Sequence, residues 1–396
     1  MIACFAWTNL QIINISNAKV NLYGEDPADL YIRLGPHISE KLVEAVKASG
    51  IYENVYTFDP VVLRYKNMKF GWMPLFKVFL LKGAFRKEYD ALLERLCPPK
   101  AYTRALMTWF YAENAFVLDY WARHTDKLAI TLVEEGTGSY CYHKHELHFP
   151  MFMGKHLKDR LRRNLTEGPI ARKLASRIDT FCLYRPEYCR PDVDYRKMTL
   201  PRVSKADNPR IYALLKEAAG SAATAAIGRY HAGKYIYFSL FSQEGAAFDA
   251  ASNRILETVI EAGGAGDVIV KVHTGDPWHA ENFAREFEPA VYVDRQVYIF
   301  EGLYAQLEQP ETKTLVSCVS TAALNPKFMF GHEPYIIFTY RLYNPDPPCG
   351  IERDQWMARA VMDAYEDKSR VMIPNSIQEL RAMIREISGA QSAPEG

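Results

Sequence analysis

Short, nearly unbroken apolar runs alternate along this chain with longer stretches in which apolar residues return every three or four positions. The runs suit strands buried on both faces, and the stretches suit helices with one face on a core. Ile2 to Trp7 opens the chain as a strand, and Thr8-Asn9-Leu10-Gln11 leads into a helix carrying Leu10, Ile13 and Val20. A strand over 30–34 follows. An amphipathic helix over 38–49 puts Ile38, Leu42, Ala45 and Val46 on one face and stops at Gly50. A strand over 55–58 completes a β-α-β-α-β series, which implies a parallel sheet with helices on its faces. Helical patterning over 63–95 and buried strands over 105–109 and 128–133 extend it. Prolines 186, 191, 201 and 209 among charged residues mark 185–208 as the region joining two domains.

A second series then begins. It comprises a strand over 235–241, a helix over 245–262 closed by Gly263-Gly264, and strands over 267–270 and 292–293. A helix opening near 299–303, a strand over 314–317, a helix from Ser320-Thr321 and a strand over 335–338 follow. The terminal helix starts at Ser376-Ile377-Gln378-Glu379, a capping-box pattern. The expected fold class is α/β, with two doubly wound parallel-sheet domains, 1–195 and 196–396.

Length supports the same division, since 396 residues exceed one compact core. A net charge of +1 argues against nucleic acid as a partner and leaves any anionic ligand to a local patch. The seven cysteines are scattered and lack the paired Cys/His spacing of a zinc site, so reduced thiols in a cytoplasmic protein are expected. The first residues lack the pattern of a secretory signal, and Met73–Leu81 is too short to span a bilayer. Two stretches raise a membrane question. Aromatic residues interleave with lysines over 63–95, ordinarily a helix packed on its domain. Over 154–177, Lys155, Lys158, Arg160, Arg162, Arg163, Arg172, Lys173 and Arg177 flank Leu157, Leu161 and Leu165. A solvated basic face is the ordinary meaning. An amphipathic element on anionic lipid, attached peripherally to the inner face of the cytoplasmic membrane, is the functional one.

Candidate chemistry gathers at strand ends, where open α/β sheets bind ligands. Glu134-Glu135-Gly136 follows the 128–133 strand. Alternation turns one of the two acids inward, and a carboxylate there can act as general base for a hydroxyl or be part of a solvated turn. Ser242 and Gln243 end the 235–241 strand. Lys271-Val272-His273-Thr274 offers a cation and an imidazole. Glu301, near a helix start, suits a ribose diol. Ser320 and Thr321 suit either a helix cap or an anion. The chain has no GxGxxG, GxxxxGK[ST] or GxSxG motif, which removes sequence support for dinucleotide, P-loop and α/β-hydrolase readings. A nucleotide-sugar donor in one domain and an acid/base carboxylate in the other, facing across a cleft, describes a GT-B-type glycosyltransferase.

The ordered set Glu134-Glu135-Gly136, Lys271-Val272-His273, Phe300-Glu301 and Ser320-Thr321 resembles the bacterial GT-B sialyltransferases. It is closest to the lipooligosaccharide sialyltransferase family (glycosyltransferase family 52) and the related capsule polysialyltransferases. Trp7-Thr8-Asn9-Leu10-Gln11 is similar to that family's first strand-to-helix turn. Thr274 stands where the family has a proline. The resemblance implies inverting, metal-independent transfer of sialic acid from CMP-Neu5Ac to a terminal sugar, galactose in the simplest case, of lipooligosaccharide or capsular oligosaccharide, with no cofactor. Glu134, with Glu135 as the alternative, would deprotonate the acceptor hydroxyl. His273 would serve the leaving phosphate, Ser320 and Thr321 would hold it, Glu301 would bind the ribose, and Lys271 would add charge, with Ser242 and Gln243 in the nucleotide-binding set. The alternatives are another CMP-ulosonic acid or a UDP-sugar as donor, or an inactive GT-B scaffold in capsule assembly. Linkage, acceptor, chain length of the product and oligomeric state, a homodimer included, stay open.

Overall fold

The structure, a computed structural model, describes residues 1–35, 38–58, 82–110, 112–125, 127–147, 168–239, 246–273, 287, 290–343 and 350–392. The chain divides into two compact units. The first holds residues 1–135 and 142–201, and the second holds 136–141 and 202–396.

The first unit is built on seven parallel strands: β1 (Ile2–Ala6), β2 (Ala28–Arg33), β3 (Asn54–Phe58), β4 (Arg104–Met107), β5 (Ala129–Val133), β6 (Ile178–Leu183) and β7 (Arg196–Thr199). Their order is β3-β2-β1-β4-β5-β6-β7. The connecting helices include α1 (Asn9–Leu22), α2 (Glu40–Ala48), α3 (Lys82–Leu96), α4 (Ala112–Ala122) and α5 (Gly168–Ala175). β1 is buried throughout because its run IACFA has no polar residue to turn outward. Aromatic packing seals this core. Phe5 stacks on Tyr31 at 5.4 Å between ring centres, and Tyr102 lies 4.6 Å from Trp121, whose indole N–H donates to the Cys97 carbonyl. Each such side chain contributes about 1.5–3 kcal/mol by leaving water.

The second unit repeats the winding with β8 (Tyr235–Phe238), β9 (Val268–Lys271), β10 (Tyr292–Asp294), β11 (Thr314–Ser317), β12 (Tyr335–Phe338) and β13 (Val371–Met372), in the order β10-β9-β8-β11-β12-β13. Its helices include α6 (Pro209–Ala232), α7 (Ala246–Gly263), α8 (Phe300–Tyr304), α9 (Thr321–Asn325), α10 (Ile351–Ala364) and α11 (Ile377–Ser392). Two doubly wound parallel sheets in one chain are the domain content of the GT-B type. In both sheets the strand order reverses beside the first strand, at β1/β4 and at β8/β11, and the crevice outside such a point is where doubly wound sheets take their ligands.

The stretch 185–208 is not a plain linker. β7 lies within it and pairs with β6, and the Leu200 N–H donates to the Leu183 carbonyl, so the chain leaves the first sheet only after 201. The residues of β6 were also missed as a strand, because they follow the basic tract directly. Of the 154–177 tract only 168–177 is described, and α5 occupies most of it. Residues 63–81 lie outside the described residues, as do Ser242, Gln243 and Thr274. Among the described residues no helix is long and apolar enough to cross a membrane, and all six described cysteines are buried.

Candidate functional site

In the first unit the acidic pair sits at the carboxyl end of β5, and its two members have different surroundings. Glu134 is 1% exposed. Its Oε2 accepts the Tyr184 N–H at 2.8 Å, its own N–H donates to the Cys182 carbonyl, and its carbonyl accepts the Asn14 side-chain N–H at 2.9 Å. Strand alternation has turned this carboxylate into the domain, where it ties the end of β5 to the end of β6. Glu135 points the other way and is half-buried, and its Oε1 accepts a 2.5 Å hydrogen bond from Gln11 Nε2.

The side-chain donors come from one stripe of α1. That helix is buried along most of its length and begins at Thr8, whose hydroxyl accepts the Gln11 N–H. Gln11, Asn14 and Asn17 recur at three-residue spacing and therefore share one face. Asn14 Oδ1 accepts the Tyr184 hydroxyl at 2.9 Å, and Asn17 donates to the same hydroxyl and to the Pro201 carbonyl. These three amides were not picked out from the sequence. The available signal was a run of polar residues at helical spacing in a segment whose other residues are apolar.

In the second unit β9 delivers Lys271 and His273 to different places. Lys271 is 5% exposed and serves the fold: its ammonium donates to the Gln296 carbonyl at 2.7 Å, stands 3.9 Å from Asp294 Oδ2 and lies 4.5 Å from the centre of the Tyr298 ring. Burial pushes its pKa down, against the opposing pull of Asp294. Asp294 also accepts the Tyr230 hydroxyl at 2.8 Å, the Gln296 N–H at 3.0 Å and the Tyr298 hydroxyl. This is a closed polar cluster between the ends of β9 and β10. His273, two residues further on, is exposed, and its backbone N–H donates to Ser239 Oγ just past β8.

Across β8 lies the loop after β11. One intervening strand puts the axes of β9 and β11 about 10 Å apart. Ser320 stands before α9 without its side chain capping that helix, and its hydroxyl is buried with no hydrogen-bond partner among the described residues. A buried hydroxyl left so is an open donor. Thr321 Oγ1 instead accepts the Thr137 N–H at 3.2 Å, and Gly136, at φ +137°, is packed against the same threonine. The six residues after Glu135 are thus seated in the second unit by the start of α9.

Glu301 is 5% exposed in α8 and accepts 2.7 Å from Asn325 Nδ2 at the end of α9. Burial raises its pKa, which the Asn325 bond partly opposes. Glu301 and the Ser320-Thr321 loop are therefore brought together through α9, whereas Lys271 is withdrawn from them. Further along, Cys318 Sγ lies 3.7 Å from Asp354 Oδ2 in α10, and burial pushes that carboxyl up to about 7. Among the described residues no group of three or more His, Cys, Asp or Glu side chains is placed to hold a metal ion.

No protein-family model matches the sequence, and no curated protein matches it. Among solved structures, the chain is similar to UDP-GlcNAc 2-epimerase from Neisseria meningitidis bound to UDP-GlcNAc, at 10% identity and a TM-score of 0.44, with 98% of this chain and 99% of that chain covered. It is also similar to E. coli heptosyltransferase WaaC with ADP, at 13% identity and a TM-score of 0.42, covering 99% and 100%. A third similar structure is an S. aureus MnaA-UDP co-structure, at 10% identity and a TM-score of 0.46, covering 97% and 90%. At these identities and scores the likeness is one of fold alone.

Proposed function

We propose that this chain is an inverting glycosyltransferase that moves sialic acid from CMP-Neu5Ac to a hydroxyl of a terminal sugar, galactose in the simplest case, on a bacterial surface glycan. One observation carries the reading. An acidic pair ends β5 of one doubly wound sheet, while Glu301, His273 and a Ser320 hydroxyl without a partner among the described residues lie at the carboxyl edge of a second sheet of the same winding. The short-motif resemblance gives the donor its identity.

In this mechanism Glu135 rather than Glu134 is the general base, because the Glu134 carboxylate is turned inward to the Tyr184 N–H. Glu135 takes the proton from the acceptor hydroxyl, whose oxygen forms the new bond to the anomeric carbon. The bond from that carbon to the CMP phosphate oxygen breaks on the opposite face, which inverts the centre. His273 donates a hydrogen bond or its proton to the departing phosphate, and the Ser320 hydroxyl donates to the same group. The Glu301 carboxylate, oriented by Asn325, accepts from the ribose.

The test is CMP release from CMP-Neu5Ac with a β-galactoside acceptor, run beside another CMP-ulosonic acid and UDP-hexoses. Turnover with CMP-Neu5Ac and a fall of roughly 10²-fold or more in Glu135→Gln are expected. Turnover with UDP-sugars alone would overturn the donor, and full activity in Glu135→Gln would overturn the base.

A further inference from the structure

Gln11 is a glutamine with no exposed surface, in the first turn of a buried helix. A buried amide must satisfy both its ends, and here each end has a definite partner. Its Oε1 accepts the Trp7 backbone N–H at 2.7 Å. That partner can only donate, so the orientation of the amide is settled: oxygen toward Trp7, nitrogen away from it. The nitrogen then lies 2.5 Å from Glu135 Oε1. The backbone of Gln11 is held as well, by the Thr8 hydroxyl that caps α1. The side chain is thus a rigid rod between the end of β1 and the carboxylate after β5.

We infer that Gln11 is a positioning residue for the acid–base step, a fixed N–H donor that holds and aims the Glu135 carboxylate. The inference rests on Glu135 being the base. A donated hydrogen bond favours the charged form of a carboxyl group, and the first turn of α1 adds the helix dipole in the same sense. The groups next to Glu135 have partners of their own. The Glu134 carboxylate is committed to the Tyr184 N–H, and the Tyr184 hydroxyl is committed to Asn14. The spacing also matters: Trp7, Thr8 and Gln11 lie in one strand-to-helix turn, so the device is local except for the carboxylate it holds.

The experiment uses the full chain and two substitutions. Gln11→Glu keeps an oxygen for the Trp7 N–H and nearly the same shape, but puts a second carboxyl group where the N–H donor was. Gln11→Leu removes both functions and reports how far the fold depends on them. The titration of Glu135 is followed by carboxyl 13C NMR, with its resonance identified by its loss in Glu135→Gln, and turnover is followed by CMP release. In Gln11→Glu the Glu135 titration should move up by about one pH unit or more, since one carboxyl next to another resists ionising. The acidic limb of the rate profile should move with it, while KM for CMP-Neu5Ac stays the same. A Glu135 titration identical in wild type and Gln11→Glu would overturn the role of Gln11, whatever the turnover. A shifted titration combined with full activity in Glu135→Gln would overturn the base assignment, and with it the part of Gln11 in the reaction.

Discussion

Lys271→Met separates a residue that supports the fold from one that binds ligand. Methionine keeps an unbranched stem of similar length and loses the ammonium. The substitution leaves the Gln296 carbonyl without its 2.7 Å donor and takes the nearby cation away from Asp294, which is 1% exposed. Removing one member of a buried ion pair costs about 3–5 kcal/mol because the other charge stays buried. Two facts move this case to the lower end of that range and below it. The ammonium and carboxylate are 3.9 Å apart, and Asp294 keeps donors from Tyr230, Gln296 and Tyr298. A loss of about 2–3 kcal/mol follows, which for a unit of this size lowers Tm by roughly 5–10 °C. Lys271→Met/Asp294→Asn removes both charges and should recover more than about 1 kcal/mol of the single-variant loss. The assay is urea and thermal denaturation followed by circular dichroism, with CMP binding measured by calorimetry at a temperature where all variants are folded. An unchanged Tm together with lost CMP binding would refute the reasoning, since the ammonium would then be acting on a ligand.

Two further predictions concern the elements around Ser320. In Gly136→Ala a Cβ would lie 2.5 Å from Thr321 Cγ2 and 2.9 Å from Thr321 Cβ, on a backbone at φ +137° that side chains rarely adopt. The variant should lose about 2–4 kcal/mol in urea denaturation, partly recovered by adding Thr321→Gly, and stability equal to wild type would sink this account. Asp354 has its carboxyl raised by burial to about 7 from an ordinary value of 3.8. A raised acid stabilises the folded state fully below the unfolded pKa, and that contribution is lost as pH climbs through the folded one. Asp354→Asn, which cannot ionise, should therefore gain on wild type by roughly 2–4 kcal/mol between pH 4 and pH 8. A stability difference that stays flat over that range would count against the raised carboxyl.

How far the sequence revealed this arrangement depends on whether a feature is local. β1, β8, β9, β11 and β12 were legible because a strand buried on both faces is an apolar run. β7, with the sequence RKMT and largely exposed residues, has no such run, and only its pairing with β6 makes it a strand. The kinked α6 eluded periodicity because its small residues, including six alanines from Ala218 to Ala226, give little contrast between faces. Site residues divide the same way. Strand ends placed Glu134, Glu135, Lys271 and His273 at the carboxyl edge, and alternation required that one acid of the pair turn inward. Which acid turns inward is settled by Tyr184, 50 residues away, and by Gln11, 124 residues away. Lys271 is withdrawn by Gln296, Asp294 and Tyr298, which join it only once β10 pairs with β9. A strand-end motif therefore marks an edge of the sheet, and the direction of each side chain there belongs to partners the motif does not contain. Gln11 is the instructive exception. Its carboxylate lies far off in sequence, but its other partner is the N–H four residues back, so half of its geometry was already written in Trp7-Thr8-Asn9-Leu10-Gln11.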